Sequence, residues 1–463
     1  RCLIISLLHA EVIRGYRMIS KKLISASFAA FFGLALILIL DACRQGSTGN
    51  KQISYSDEAV SSGSRNLFPE YTNDELSQFV SDNNAFAFDL FQAIKDGSEN
   101  LFFSPYSISV ALAMTYGGAK NQTEIQMAET LHFNFLQEKL HALFNALDLE
   151  LNNRNLNDPA DVGKYLKLNV SNALWAQSDY TFLDSYLDII MFNYGAGIRL
   201  VDFINAPEQA RLTINDWVAD QTENRIENLL ADGDIDNWVR LVLTNTIYFN
   251  ASWAIPFNPD DTYDGLFYLE DGSTVLVPMM IPEAGNGENG EDYTAVEGPG
   301  FLAVALPYYG GEFSMVIVVP DYGTYSTFEE ALDYAFIDEI IGNLSLRDVL
   351  LEMPKFGYES KIYLANTLSD MGMRDAFTPG IADFSGIDGT LNLFIDNVIH
   401  QAFISVDEAG TEAAAATAVV ISFTSIPNPL EIILDRPFIF MIRDNLTGAI
   451  LFLGRVKNPS SAA

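Results

Sequence analysis

The 463-residue chain predicts one large domain of mixed α+β class. Three observations point there. Helical spacing of apolar residues dominates the earlier part of the chain, and strand hairpins dominate the later part. Neither a linker nor an internal repeat interrupts residues 76–459. Length alone would suggest two or three domains, but 49 % hydrophobic and 12 % aromatic residues can fill a single large core.

Asn73-Asp74-Glu75-Leu76 opens the first helix, with Phe79, Phe86, Leu90, Phe91 and Ile94 at helical spacing. Ser104-Pro105 starts a second, because proline fits the first helical turn; Ile108, Ala111, Leu112 and Thr115 follow. Thr123 reads as the cap of the next. A polar loop, 152–161, precedes a strand at 166–176. Ile214-Asn215-Asp216-Trp217-Val218 opens a helix running to about Leu230.

The run 241–253, LVLTNTIYFNASW, reads as a strand buried on both faces. EAGNGENGED (283–292) reads as a flexible acidic loop. After it, AVALPYYGGEFSMVIVVP forms a hairpin turning at Gly310-Gly311, and FIFMIR with AILFLGRV forms another turning at 445–448.

Charge and residue content exclude several functions. Sixty-one acidic residues against 26 basic ones give a net charge of −35. Such a surface repels nucleic acid and polyanions. The two cysteines, Cys2 and Cys43, lie outside the body, so no internal disulfide or thiolate nucleophile is expected there. Of the four histidines, His400 is the one candidate base, and its plainer reading is a hydrogen-bonded core residue. No nucleophile elbow, zinc motif or phosphate loop is present, so the chain is not expected to be an enzyme, and neither cofactor nor metal is expected.

The N-terminal part reads as an address. Met18 is followed by Lys21-Lys22, an apolar run over 23–40, and Asp41-Ala42-Cys43. That is the order of a secretory signal, with an apolar stretch near the ~18-residue threshold for spanning a membrane. An uncleaved anchor is therefore the alternative. The organisation expected is upstream read-through over 1–17, a signal peptide over 18–42, a flexible tether over 43–70 rich in Ser, Gly and Asn, and the folded domain over 71–460.

Residues 407–427 are unusual. No Lys or Arg occurs over 402–435, and AAAATA (413–418) is made of small residues only. Alanines favour a short helix. A two-residue period instead places Thr411, Ala413, Ala415, Thr417, Val419 and Ile421 on one uncharged face, as a central strand requires, with Glu412 on the other.

The run from Glu408 to Thr417 resembles the reactive-centre-loop hinge of inhibitory serpins. FFSPYSIS (102–109), NALW (172–175), TNTIYFNASW (244–253), LPYYGGEFSMVIVVP (306–320), MPKF (353–356), ADFSGI (382–387), VIHQAFISVDEAGTEAAAATA (398–418) and DRPFIFMIRDNLTGAILFLGRVKNP (435–459) also resemble serpin motifs, in serpin order. The resemblance spans roughly 76–459. It implies three β-sheets, about nine helices packed on them, and an exposed loop over 408–430.

It also implies a function, irreversible inhibition of serine proteases. The protease attacks the loop and forms an acyl-enzyme. The cut loop then enters the large sheet as a new strand before water can release the enzyme. By resemblance the hinge is Glu408, Gly410, Thr411, Glu412, Ala413, Ala414, Ala415, Ala416 and Thr417. Glu408 pairs with Lys355, and Trp253 sits where insertion starts. Ser104, Ser107, Asn245 and His400 control sheet opening. The scissile bond follows Thr424, with Ser425 after the cut and Phe423 as the alternative to Thr424.

The uncharged loop suits elastase-, subtilisin- or chymotrypsin-like enzymes, not trypsin-like ones, and a papain-like target is a further option. Where some serpins carry a basic helix, residues 120–136 hold only Lys120 and His132, so no heparin-like partner is expected. Leu40-Asp41-Ala42-Cys43 resembles a bacterial lipobox, with Asp41 unusual in it. This implies acylation at Cys43, a cell-envelope location and membrane contact only through the lipid; the chain is expected to be a monomer. The competing function is a non-inhibitory serpin that acts as a binding or chaperone-like module.

Overall fold

The computed structural model describes residues 57–97, 99–156, 164–282, 291–411 and 429–460. The early helices are α1 (Asn73–Ile94), α2 (Pro105–Tyr116), α3 (Asn121–Thr130) and α4 (Gln137–Asn152), followed by α5 (Asp184–Tyr194) and α6 (Pro207–Gln221). The later ones are short: α7 (Tyr325–Glu330), α8 (Tyr334–Gly342), α9 (Ala365–Met371) and α10 (Ser385–Asp388).

The strands are β1 (Asp57–Ala59), β2 (Leu101–Phe103), β3 (Leu166–Gln177), β4 (Ile198–Val201), β5 (Leu241–Ser252), β6 (Tyr263–Tyr268) and β7 (Thr274–Met280). Next come β8 (Glu291–Gly298), β9 (Phe301–Pro307), β10 (Phe313–Pro320), β11 (Ser345–Pro354), β12 (Phe356–Tyr363) and β13 (Val398–Val406). The last are β14 (Gly410–Thr411), β15 (Leu430–Ile433), β16 (Phe438–Asp444) and β17 (Ile450–Val456).

Seven strands form the large sheet in the order β1-β4-β3-β5-β14-β13-β12. The others join through β2-β17-β16-β10-β9-β8-β11-β7-β6. In that network β11 serves two ladders, with β8 at its beginning and with β7 at its end, while β15 runs parallel beside it. The network therefore divides into two sheets about β11, which makes three among the described residues.

Local chemistry explains the elements that position the site. Thr72 and Glu75 close a capping box on α1. Ser104 Oγ accepts the Ser107 amide at the start of α2, and Pro105 needs no amide bond there. Every residue of α2 is buried, so this helix is covered on all sides and lies between the sheets and the other helices. All of β5 except Asn250 is buried. Both hairpins turn where expected, with Gly310, Gly311 and Gly448 at positive φ.

Four expectations differ. Thr123 does not cap α3: Lys120 precedes the helix without a side-chain cap, and Thr123 Oγ accepts the Asp383 amide at 3.0 Å. The helix α6 begins at Pro207 and ends at Gln221, not over 214–230. Left-handed Glu223 and Asn224 end it, and Ile226, Leu229 and Leu230 are buried from turns. Helical spacing had merged two structures that share one apolar face. Of the expected acidic loop, Glu291 and Asp292 begin β8, and 283–290 lie outside the described residues. The second half of the expected tether is not free chain: β1 joins the edge of the large sheet.

Candidate functional site

The strand β14 stands between β5 and β13. Gly410 pairs with Ser252, Thr411 with Ala251, and Val406 with Thr411. At the other end β5 and β13 pair directly, Val398–His400 against Leu243–Asn245. Between these two clasps no ladder joins 246–250 to 401–405 among the described residues. The sheet is thus parted at one end by two residues of the hinge, Gly410 and Thr411.

The parted end is held by specific contacts. The Trp253 indole donates to the Asp407 carbonyl at 3.0 Å, and the Trp253 amide donates to the Ala409 carbonyl at 2.9 Å. Its ring stacks on Tyr308, 4.5 Å between centroids, and the Tyr308 hydroxyl lies 2.7 Å from Thr411 Oγ. Lys355 Nζ lies 2.6 Å from Glu408, and Thr262 Oγ donates to the same carboxylate at 2.8 Å. Partial burial would raise the Glu408 pKa, but Lys355 and the other donors outweigh it and hold it below the usual range.

Gly410 is required by close approach. A Cβ there would meet the Ala251 carbonyl oxygen at 2.1 Å. Its backbone is not left-handed, so close approach and not conformational freedom calls for glycine here.

At the closed end the register brings three strands into one line. Asn172 of β3 opposes Asn245 of β5, and Asn245 opposes His400 of β13. The Ser104 amide donates to His400 Nε2 at 3.0 Å. That makes Nε2 the acceptor, so Nδ1 carries the proton and donates to Asn245 Oδ1 at 2.6 Å. Asn245 Nδ2 donates to Asn172 Oδ1 at 2.7 Å, and Ser107 Oγ donates to the same oxygen at 3.2 Å. The chain of bonds ties β13, β5 and β3 to α2. Within it, the His400–Asn245 bond is the side-chain link that spans β13 and β5.

Sequence reasoning grouped Ser104, Ser107, Asn245 and His400 and missed Asn172. The signal was present in NALW, but only the register shows that Asn172 faces Asn245. Tyr308, Thr262 and Asp407 were missed likewise. Glu412, Ala413, Ala414, Ala415, Ala416, Thr417, Phe423, Thr424 and Ser425 lie outside the described residues, as does Cys43.

His400 is fully buried, and burial pushes its pKa down to about 3. The folded state therefore holds it neutral, whereas the unfolded chain protonates it near pH 6.5. Stability from this group is complete above about 6.5 and falls as pH drops towards 3. At pH 5 the loss is about 2 kcal/mol. His141, buried and held near 4, acts in the same direction. We expect the rate of spontaneous sheet opening to rise from pH 8 to pH 5. His400→Gln, which can accept from Ser104 and donate to Asn245, should flatten part of that rise. An unchanged profile in the variant would show that His400 does not set it.

Comparison with known proteins agrees with this layout. The family model described as Serpin (serine protease inhibitor) matches residues 81–459. The chain is a serpin. It is 39 % identical to a leukocyte elastase inhibitor of Xenopus laevis, over 81 % of this chain and 97 % of that one. It is 38 % identical to an uncharacterized serpin-like protein of Methanosarcina acetivorans, over 81 % of this chain and 85 % of that one. Among solved structures it is similar to the thermophilic serpin tengpin in its native state. The TM-score there is 0.72 at 30 % identity, covering 87 % of this chain and 97 % of the other.

Proposed function

We propose that this serpin is a suicide-substrate inhibitor of serine proteases that traps the acyl-enzyme by inserting its cut loop between β5 and β13. The observation that carries the reading is β14, the start of the hinge already paired inside the large sheet. The small residues over 413–418 support it further, since nothing bulky or charged there opposes burial. They also argue against the non-inhibitory reading.

Relatives named as elastase inhibitors, and a loop without Lys or Arg, support an elastase-, subtilisin- or chymotrypsin-like target. We place the reactive bond between Thr424 and Ser425. The test is to stop the reaction in denaturant and identify the released C-terminal peptide by mass spectrometry. A peptide beginning at Ser425 is expected; one beginning at Thr424 would move the bond to Phe423, and cuts scattered across 412–428 would contradict a defined reactive bond.

The remaining proposals rest on residues 18–70 alone: export on the 18–42 signal, acylation at Cys43, and a bacterial cell-envelope location. Metabolic labelling with a radioactive fatty acid tests them. Label is expected on the native chain and absent from Cys43→Ser, and an unlabelled native chain would contradict the anchor.

A further inference from the structure

We propose that residues 57–70 are a latch that slows opening of the large sheet in the uncut protein. This rests on loop insertion as the inhibitory step. The strand β1 extends the sheet beside β4, with Asp57, Glu58 and Ala59 opposite Leu200, Arg199 and Ile198. Glu58 pairs with Arg199 at 3.0 Å, and the Arg199 guanidinium lies over the rings of Trp175 and Trp217. The chain then leaves the sheet and crosses the helices. Ser61 Oγ donates to Asp188 on α5, and the Asn66 amide donates to the Phe192 carbonyl at 2.8 Å. Arg65 donates to Asn145 Oδ1 at 2.8 Å and pairs with Asp148 at 2.6 Å, both on α4. Asn145 returns a bond to the Asn66 carbonyl at 2.7 Å.

The segment therefore stitches an edge of the sheet to two helices beneath it. The helix α5 belongs to the helical body: Tyr186 donates to the Met114 carbonyl of α2, and Tyr194 meets His141 of α4. Opening a place for a new strand between β5 and β13 requires one side of the sheet to move. The side made of β5, β3, β4 and β1 is one continuous ladder. It faces α2, α4 and α5, and a cavity of about 230 Å³ lies there, lined by Arg65, Asp148, Phe144, Asn172 and Trp217. Any slide of that ladder over the helices must shear the Arg65 and Asn66 bonds.

The neighbouring chain is shaped to receive the segment. A Cβ on Gly197 would meet Val60 Cγ at 2.5 Å and the Ala59 carbonyl oxygen at 2.9 Å, both within the latch. Gly195 stands in the left-handed region, and a Cβ there would meet Arg65 Cδ at 2.9 Å. Sequence reading assigned this segment to a tether because its Ser, Gly and Asn content hides the bonding residues Glu58, Ser61, Arg65 and Asn66.

The test compares the full chain with Arg65→Ala and Gly197→Ala in the absence of any protease. Each protein is incubated warm, at a temperature where the parent converts over hours. The readout is the rate at which uncut protein, with mass unchanged, becomes resistant to heat. Loss of the charge-assisted bonds of Arg65 should speed conversion roughly tenfold or more. Gly197→Ala, whose new methyl group would meet Val60 and Ala59 of the latch first, should do the same and guards against misfolding of the first variant. Rates for both within about twofold of the parent would overturn the latch. Failure of the underlying reading looks different: cut and uncut parent would melt together, and neither would trap a protease.

Discussion

Ala413→Arg should turn the inhibitor into a plain substrate. Thr411 is buried against the Tyr308 hydroxyl, so the interior face of the hinge strand is fixed by an observed contact. The two-residue period of a strand then sends Ala413, Ala415 and Thr417 to that same face on insertion. An arginine at 413 would have to be buried without a partner, which costs about 3–5 kcal/mol. In the proposed mechanism insertion competes with hydrolysis of the acyl-enzyme, so that cost should slow it by a factor of about 100 or more. The variant should be cut at the same bond and release active protease. Ala414→Arg places the same charge on the opposite face and should keep most of the trapping. Equal trapping by the two variants would contradict insertion in this register.

Cutting the loop should raise the melting temperature sharply. A strand of about a dozen residues between β5 and β13 makes about 20 backbone hydrogen bonds, a gross gain on the order of 10–30 kcal/mol at about 0.5–1.5 each. Part of that is lost to ordering the loop. With about 2.1 cal/mol/K per residue over roughly 390 residues, each kcal/mol moves the midpoint by about 1.2 °C. A rise on the order of 10–30 °C is expected by calorimetry. The uncut state is then metastable, held by the barrier to opening rather than by equilibrium. Equal midpoints before and after cutting would mean that the gap between 246–250 and 401–405 is not filled by the loop.

The elements legible in the sequence are those fixed by local chemistry. Ser104-Pro105 announces α2, the apolar run 241–252 announces a doubly buried strand, and Gly310-Gly311 and Gly448 announce turns. Site residues were legible where the serpin resemblance supplied them, and the structure brings Glu408 to Lys355 and His400 to Asn245. What stayed hidden depends on register and on distant chain. Asn172 joins the closed end only because β3 runs antiparallel to β5 at that offset. Thr123 is claimed by the Asp383 amide, a partner 260 residues away in sequence. Arg65 in the latch has its partners on α4, which no local pattern near residue 65 encodes.

The central claim is covalent trapping by loop insertion, and denaturing electrophoresis tests it most directly. The full chain is mixed in turn with elastase, subtilisin, chymotrypsin and trypsin. The expected result is a band of summed mass that survives boiling in detergent with at least one of the first three, and none with trypsin. Complete cleavage by all of them with no such band, together with an unchanged melting temperature of the cut chain, would contradict it.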